Sequence, residues 1–316
     1  MKMNPKSQKG AITLIVLVTM LFLIAFLMSM YIRISNKAQT SAETTEEIAK
    51  KYNNIGEAND IYNSYFANSD VIPIYTVEQL KKIGSGEKIE VNGKIYTFTT
   101  NGYYTLMNDL DLGGYYDEEN ETWIGTQWEP LPLSDSNGTQ YKFTGTLDGL
   151  GHEIKGLYIN DEELNNQGLF GILTGTVKNL SIVESYINAK LYIGAIAGRN
   201  EGTVKNCINK AEMIGTGNIG GIVGRNYKIV EGCTNEADIT GVKEYVGGIV
   251  GDNLILSTTN EVPKVINCKN KGQINGTVLL QTGGIIGTNN KGEIYRCYNK
   301  GTVLGAGRHC RIFYLR

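Results

Sequence analysis

Gly220-Gly-Ile-Val-Gly224 decides how the rest of this sequence is read. Glycines enclosing a short apolar run return as Gly168-Leu-Phe-Gly171, Gly194-Ala-Ile-Ala-Gly198, Gly247-Gly-Ile-Val-Gly251 and Gly283-Gly-Ile-Ile-Gly287. The closing glycines Gly171, Gly198, Gly224, Gly251 and Gly287 stand 27, 26, 27 and 36 residues apart, and a polar insertion at 254–263 stretches the last interval. Self-similarity at a near-constant period marks a repeat architecture, in which each unit buries its apolar face only against its neighbours.

A second pattern follows each closing glycine in register. Val177, Val204, Val230, Val265 and Ile294 form an apolar set, and three residues later come Leu180, Cys207, Cys233, Cys268 and Cys297. Six or seven residues further on stand Ile187, Ile214, Ile239, Ile274 and Val303. Equivalent residues of successive coils in a β-solenoid lie about 4.8 Å apart, so each set predicts an inward column. The L-x-x-L-x-L core of leucine-rich repeats is absent, and glycine-rich Ile/Val segments are poor helix formers and good short strands. The expected fold is therefore mainly β, a parallel β-helix, right-handed because parallel crossovers favour that hand. Asn209, Asn235, Asn270 and Asn299 each follow a cysteine by two places. Two readings stay open for them: amides stacked along the axis, or residues tolerating a left-handed turn.

These repeats resemble the GLUG-motif family of bacterial surface proteins, named for its glycine-hydrophobic-hydrophobic-glycine phrase. Upstream, Tyr103-Tyr-Thr-Leu-Met-Asn-Asp-Leu-Asp-Leu112, Trp128-Glu-Pro-Leu-Pro132 and Phe143-Thr-Gly-Thr-Leu-Asp-Gly-Leu-Gly-His-Glu-Ile-Lys-Gly-Leu-Tyr-Ile159 look like the opening coils that precede such repeats. The likeness covers about 75–305. It implies a surface location and is unspecific for activity, because members include adhesin-like proteins and accessory regions of IgA-cleaving metallopeptidases.

The N-terminal part reads differently. Residues 11–32 carry no charge over 22 positions, long enough at about 1.5 Å per residue to cross a bilayer core of roughly 30 Å. Lys2, Lys6 and Lys9 before it against Arg33 and Lys37 after it place the N-terminus inside and the body outside. A cleaved secretory signal would have a shorter apolar core. Lys9-Gly10-Ala11-Ile12-Thr13-Leu14-Ile15-Val16 resembles the processing site of type IV prepilins and pseudopilins, with cleavage after Gly10 or Ala11, although Val16 stands where that family has a glutamate. Ile48, Tyr52, Ile55, Ile61 and Tyr65 recur at roughly helical spacing beyond it.

Composition excludes several classes. With 30 basic against 32 acidic residues there is no basic field for nucleic acid. Thirty-nine glycines beside five prolines fit turns of ordered β structure, not collagen or a disordered linker. His152-Glu153-Ile154-Lys155-Gly156 begins like H-E-x-x-H but lacks the second histidine, so no metal is expected there. The cysteines contain no C-x-x-C pair and read as small hydrophobes, with disulfides between adjacent rungs as the alternative. Asp109, Asp111, Asp117, Glu118, Glu119 and Glu121 do not match a calcium loop. Asp148, Glu184, Asp238 and Glu244 do not recur as a catalytic pair. Tyr103, Tyr104, Tyr115, Tyr116, Trp123 and Trp128 could stack on sugars or cap the open coil end.

The resulting plan is a cytoplasmic N-terminus and membrane helix (1–35), a helical stalk (36–69), capping and opening coils (70–160), GLUG-like repeats (161–305) and an irregular tail (306–316). The expected protein is a non-enzymatic bacterial surface protein without cofactor, acting in adhesion or as a spacer. Its expected partners are the membrane, a glycan or protein ligand outside the cell, and copies of itself in a filament. A pilin-like subunit and a carbohydrate-active β-helix enzyme are the alternatives.

Overall fold

The computed structural model describes residues 70–133, 140–276 and 281–305. The membrane helix and stalk, the Gly10/Ala11 processing site and the tail at 306–316 lie outside them. Among the described residues no helix is long and apolar enough to cross a membrane.

The chain winds as a β-solenoid whose strands form four parallel sheets running along its axis, of eight, seven, eight and six strands. One coil shows the order: Ala197–Asn200 in the glycine sheet, Thr203–Lys205 in the valine sheet, Ile208–Asn209 in the amide sheet, and Glu212–Gly220 in the long sheet, before Val223–Asn226 begins the next coil. The valine sheet counts eight rungs, with Ile72, Tyr104, Leu147, Val177, Val204, Val230, Val265 and Ile294 in register. All of them but Ile294, which is partly buried, belong to the closed core. Each such side chain contributes about 1.5 to 3 kcal/mol on leaving water, which no single coil could gather alone.

The third expected column needs one correction. Ile187 pairs with Met213, Met213 with Ile239, Ile239 with Ile274, and Ile274 with Val303. Ile214 lies opposite Asn188 and Thr240 and is half-buried, on the other face of the strand. Strand side chains alternate, so a one-residue offset reverses the face, and the column accepts an unbranched methionine where its neighbours have branched aliphatics.

Glycine is demanded where coils cross closely. A Cβ on Gly224 would collide with the backbone of Tyr192 and Ile193, and one on Gly220 with the carbonyl of Val223. The two glycines of the repeat phrase thus answer to two different contacts. The insertion leaves the solenoid between the glycine and valine sheets, with 257–262 exposed.

The first described coil carries added elements. A one-turn helix, Val77–Lys81, starts at a capping box in which Thr76 accepts from the Gln79 amide while the Gln79 side chain accepts from Thr76. Leu80 and Ile83 enter the core behind it. The hairpin Lys88–Val91/Lys94–Thr97 turns through Asn92-Gly93, both at positive φ, as a two-residue loop requires. Val91 and Tyr96 of the hairpin join the same core.

Candidate functional site

Three arrangements gather the side chains with chemistry in them: a thiol column, two amide ladders and an aromatic hairpin. The thiol column begins at a turn. Asn179, Asn206, Gly232, Asn267 and Arg296 hold positive φ between 49° and 66°, and each precedes a column residue. The next side chain, Leu180, Cys207, Cys233, Cys268 or Cys297, then sits just before a registered strand of the amide sheet. The Cys207 amide donates to Cys233 Sγ at 3.5 Å, and the Cys268 amide to Cys297 Sγ at 3.4 Å. Each thiol also donates to the carbonyl two residues back, at 3.2 to 3.4 Å. The four thiols are free and buried. Burial pushes the Cys233 thiol well above its ordinary value, and the neighbouring Cys233 followed by burial does the same to Cys268. Neutral buried thiols are poor nucleophiles, so this column packs.

The amide reading of Asn209, Asn235, Asn270 and Asn299 is the one the geometry follows. Their side chains donate in sequence, Nδ2 to the next Oδ1, at 2.8, 2.7 and 2.7 Å. None of them has a positive φ, which falls instead on the residues just before the cysteines. A second ladder, unrecognised in the sequence, runs through Asn200, Asn226, Asn253 and Asn289 at 2.8, 2.8 and 2.7 Å. Its signal was present: each of these asparagines follows a closing glycine by two places. The second Nδ2 hydrogen reaches a carbonyl near the same corner, as from Asn235 to Ala237 at 2.8 Å and Asn270 to Gly272 at 2.9 Å. A fully bonded buried amide avoids the penalty of an orphaned one.

The expected aromatic cluster divides. Tyr104 and Trp128 are core residues, and Trp128 Nε1 donates to the Leu169 carbonyl at 3.3 Å. Tyr103 stays on the surface with Lys178 Nζ 5.8 Å over its ring. Tyr115, Tyr116 and Trp123 belong to a hairpin, Tyr115–Asp117 with Thr122–Ile124. Trp123 stacks on Tyr186 at 5.8 Å and 17°, Tyr186 stacks on Tyr158 at 6.2 Å, and Trp123 Nε1 donates to Glu212 at 3.0 Å. Tyr158, Tyr186 and Glu212 are successive rungs of one column, so the hairpin is pinned across three coils. Only the fold unites Trp123 with Tyr186 and Glu212.

The acids are mostly engaged in structure. Asp109 accepts from His152 Nδ1 and the Glu153 amide, both at 2.9 Å. The Gly113 amide, ahead of Lys155, lowers the Asp111 carboxyl, and the Asn120 side chain and amide lower Asp117. Asp148 is buried against Lys178 at 2.9 Å, while Glu184, Asp238 and Glu244 are exposed. At one corner Asp252 binds Arg225 at 2.9 Å and Asn218 Nδ2 at 3.2 Å, with Arg225 4.1 Å over Tyr192. Burial raises the Asp252 carboxyl, against the opposing pull of Arg225. Among the described residues no group of three His, Cys, Asp or Glu could hold a metal.

The architecture defines the class: a β-solenoid of stacked glycine-motif coils with amide ladders at two corners. Residues 215–240, close to one coil, match the family described as "The GLUG motif". A protein of Evansella cellulosilytica named "Putative Gly-rich membrane protein" is 34% identical over 109 residues, 33% of this chain and 12% of that protein. "Halomucin" of Haloquadratum walsbyi is 34% identical over 106 residues, 33% of this chain and 1% of that protein. The match thus spans only a small part of either relative's length. The crystal structure of "a putative immunoglobulin A1 protease" from Bacteroides ovatus aligns over 74% of this chain and 77% of its own, at 19% identity and a TM-score of 0.47.

Proposed function

We propose that this chain is a membrane-anchored surface protein whose solenoid acts without catalysis, as a spacer that carries an adhesive surface away from the cell. The observation that supports this most is the use made of the reactive side chains. Thiols pack, buried amides bond to one another along the axis, and most acids are tied to turns, lysines or arginines. Such a rod is stiff along its length because every coil bonds to the next. The name of one relative refers to a membrane, and the uncharged stretch at 11–32 supplies the anchor in this reading. The aromatic hairpin offers ring faces and edges to a glycan or protein ligand.

The test uses the full chain with a C-terminal epitope, produced in bacterial cells. Protease added to intact cells should remove the epitope, and the epitope should fractionate with membranes. An epitope protected until lysis, or found in the soluble fraction, overturns the location. Glycan and matrix-protein arrays, with release of reducing ends measured in parallel, test the activity. Binding without turnover supports the reading, and turnover of any polysaccharide ends it.

A further inference from the structure

Charge is not spread evenly along the solenoid. Between 70 and 165 seventeen acidic residues stand against six basic ones, the stretch 166–263 holds nine against eight, and 264–305 holds one against six. Exposed apolar side chains follow the same division. Large ones occur at 95–150, including Tyr115 and Tyr116 at 56% and 47% exposure, and again at Tyr295, Tyr298 and Leu304 at 49%, 42% and 49%. Between the two groups stand only Val242 and Val262, among the described residues.

The middle coils neutralise themselves rung to rung, through Lys205–Glu231, Lys210–Glu236 and Arg225–Asp252. The last coil does so less. Lys269 and Lys300 lie 5.2 and 5.9 Å from the Tyr298 ring, and Arg296 is exposed beside them. The strand of Tyr298 lies six rungs from that of Leu110, which just precedes the acidic hairpin. That is roughly 30 Å at about 4.8 Å per rung, several times the screening length of about 8 Å at physiological salt. These two regions of one solenoid therefore cannot compensate each other.

We propose that a second copy does: the acidic, tyrosine-bearing N-terminal coils of one molecule dock on the basic, tyrosine-bearing last coils of another. This names a partner for the surface protein proposed above, and its failure would leave location and lack of catalysis untouched. Opposed charge speeds and orients the encounter, and the tyrosines supply apolar area at its centre. Because the two patches differ, the contact is heterologous and can propagate along a row of molecules.

Light scattering on the full 316-residue chain in non-ionic detergent, corrected for bound detergent, tests it. Protein mass should rise at least about twofold in about 10 mM salt, where screening extends to about 30 Å, and return to monomer near 1 M, where it falls to about 3 Å. Lys291→Glu/Arg296→Glu/Lys300→Glu and Glu118→Lys/Glu119→Lys/Glu121→Lys should each abolish the increase, and mixing the two variants should restore it. All six positions are exposed, and circular dichroism is the check that both variants fold. A wild-type monomer at low salt, or assembly indifferent to both reversals, overturns the proposal. So does a monomer that instead binds an anionic polysaccharide through its last coils.

Discussion

The coils up to Val183 and those from Ala197 onward fill the same inward corners with different chemistry. In the amide sheet the column reads Leu110, Ile154, Ile182 and then Asn209, Asn235, Asn270, Asn299. In the glycine sheet Phe143 and Leu173 give way to Asn200, Asn226, Asn253 and Asn289. At the same coil Leu180 gives way to Cys207. Bulky apolar corners suit the aromatic core of the opening coils, where Phe143 stacks on Phe170 at 4.7 Å. Amide corners suit repetition, because each rung offers the next an identical donor and acceptor. One region is held mainly by packing and the other adds directional bonds.

The largest effect should separate the glycines of the two regions. A Cβ at Gly224 meets backbone, whereas one at Gly171 meets the movable end of Gln140. Gly224→Ala should cost about 4 kcal/mol or more, and Gly171→Ala below about 1 kcal/mol. Hydrogen exchange of the coils around each position measures both, and equal costs would break the contrast.

Asn235→Leu should cost about 2 to 4 kcal/mol, because it orphans groups on Asn209 and Asn270. Leucine at Asn209, Asn235, Asn270 and Asn299 together should cost less than four times that, since no amide is then left facing an apolar neighbour. The boundary itself can be moved. Ile182→Asn places an amide beside Asn209, and Ile154→Asn does not, so the former should be milder by about 1 kcal/mol in urea unfolding.

The thiol column should behave as packing. Cys233→Ala should lose about 1 kcal/mol. In a Cys310→Ser background, an alkylating reagent should modify none of the four buried thiols without denaturant. Folded Cys233 and Cys268, held well above the ordinary thiol value of 9.0, stay protonated where their unfolded forms ionise, so stability should fall as pH rises above that value. Alkylation that accelerates through pH 8 to 9 in the folded protein would contradict burial.

The smallest effect belongs to the surface. The Lys271 ammonium bonded to Glu236 lowers its carboxyl, so the pair's contribution is present above the ordinary glutamate range and lost as pH falls through the lowered value. Glu236→Gln should change stability by about 0.5 kcal/mol or less and remove that acid dependence. Thermal unfolding at pH 7 and pH 3 measures it.

How much was legible depended on whether a feature repeats. Gly224, Val204 and Cys207 were readable because stacking gives each an equivalent in the next coil, and the period carries that equivalence in the sequence. Met213 was missed because its column tolerates any apolar shape that fills it, and the face is set by strand register. The second amide ladder was readable from the same period but was overshadowed by the glycines beside it.

Periodicity alone therefore determined that this chain stacks coils and most of the positions that turn inward, since identical coils in register leave no other way to bury the recurring aliphatics. Tertiary structure alone decided the non-repeating parts: the capping helix at Val77–Lys81, the pinning of Trp123 on Tyr186 and Glu212, and the switch from apolar to amide corners between Ile182 and Asn209. The last two depend on contacts between distant residues, up to 89 places apart for Trp123 and Glu212, which no local pattern encodes.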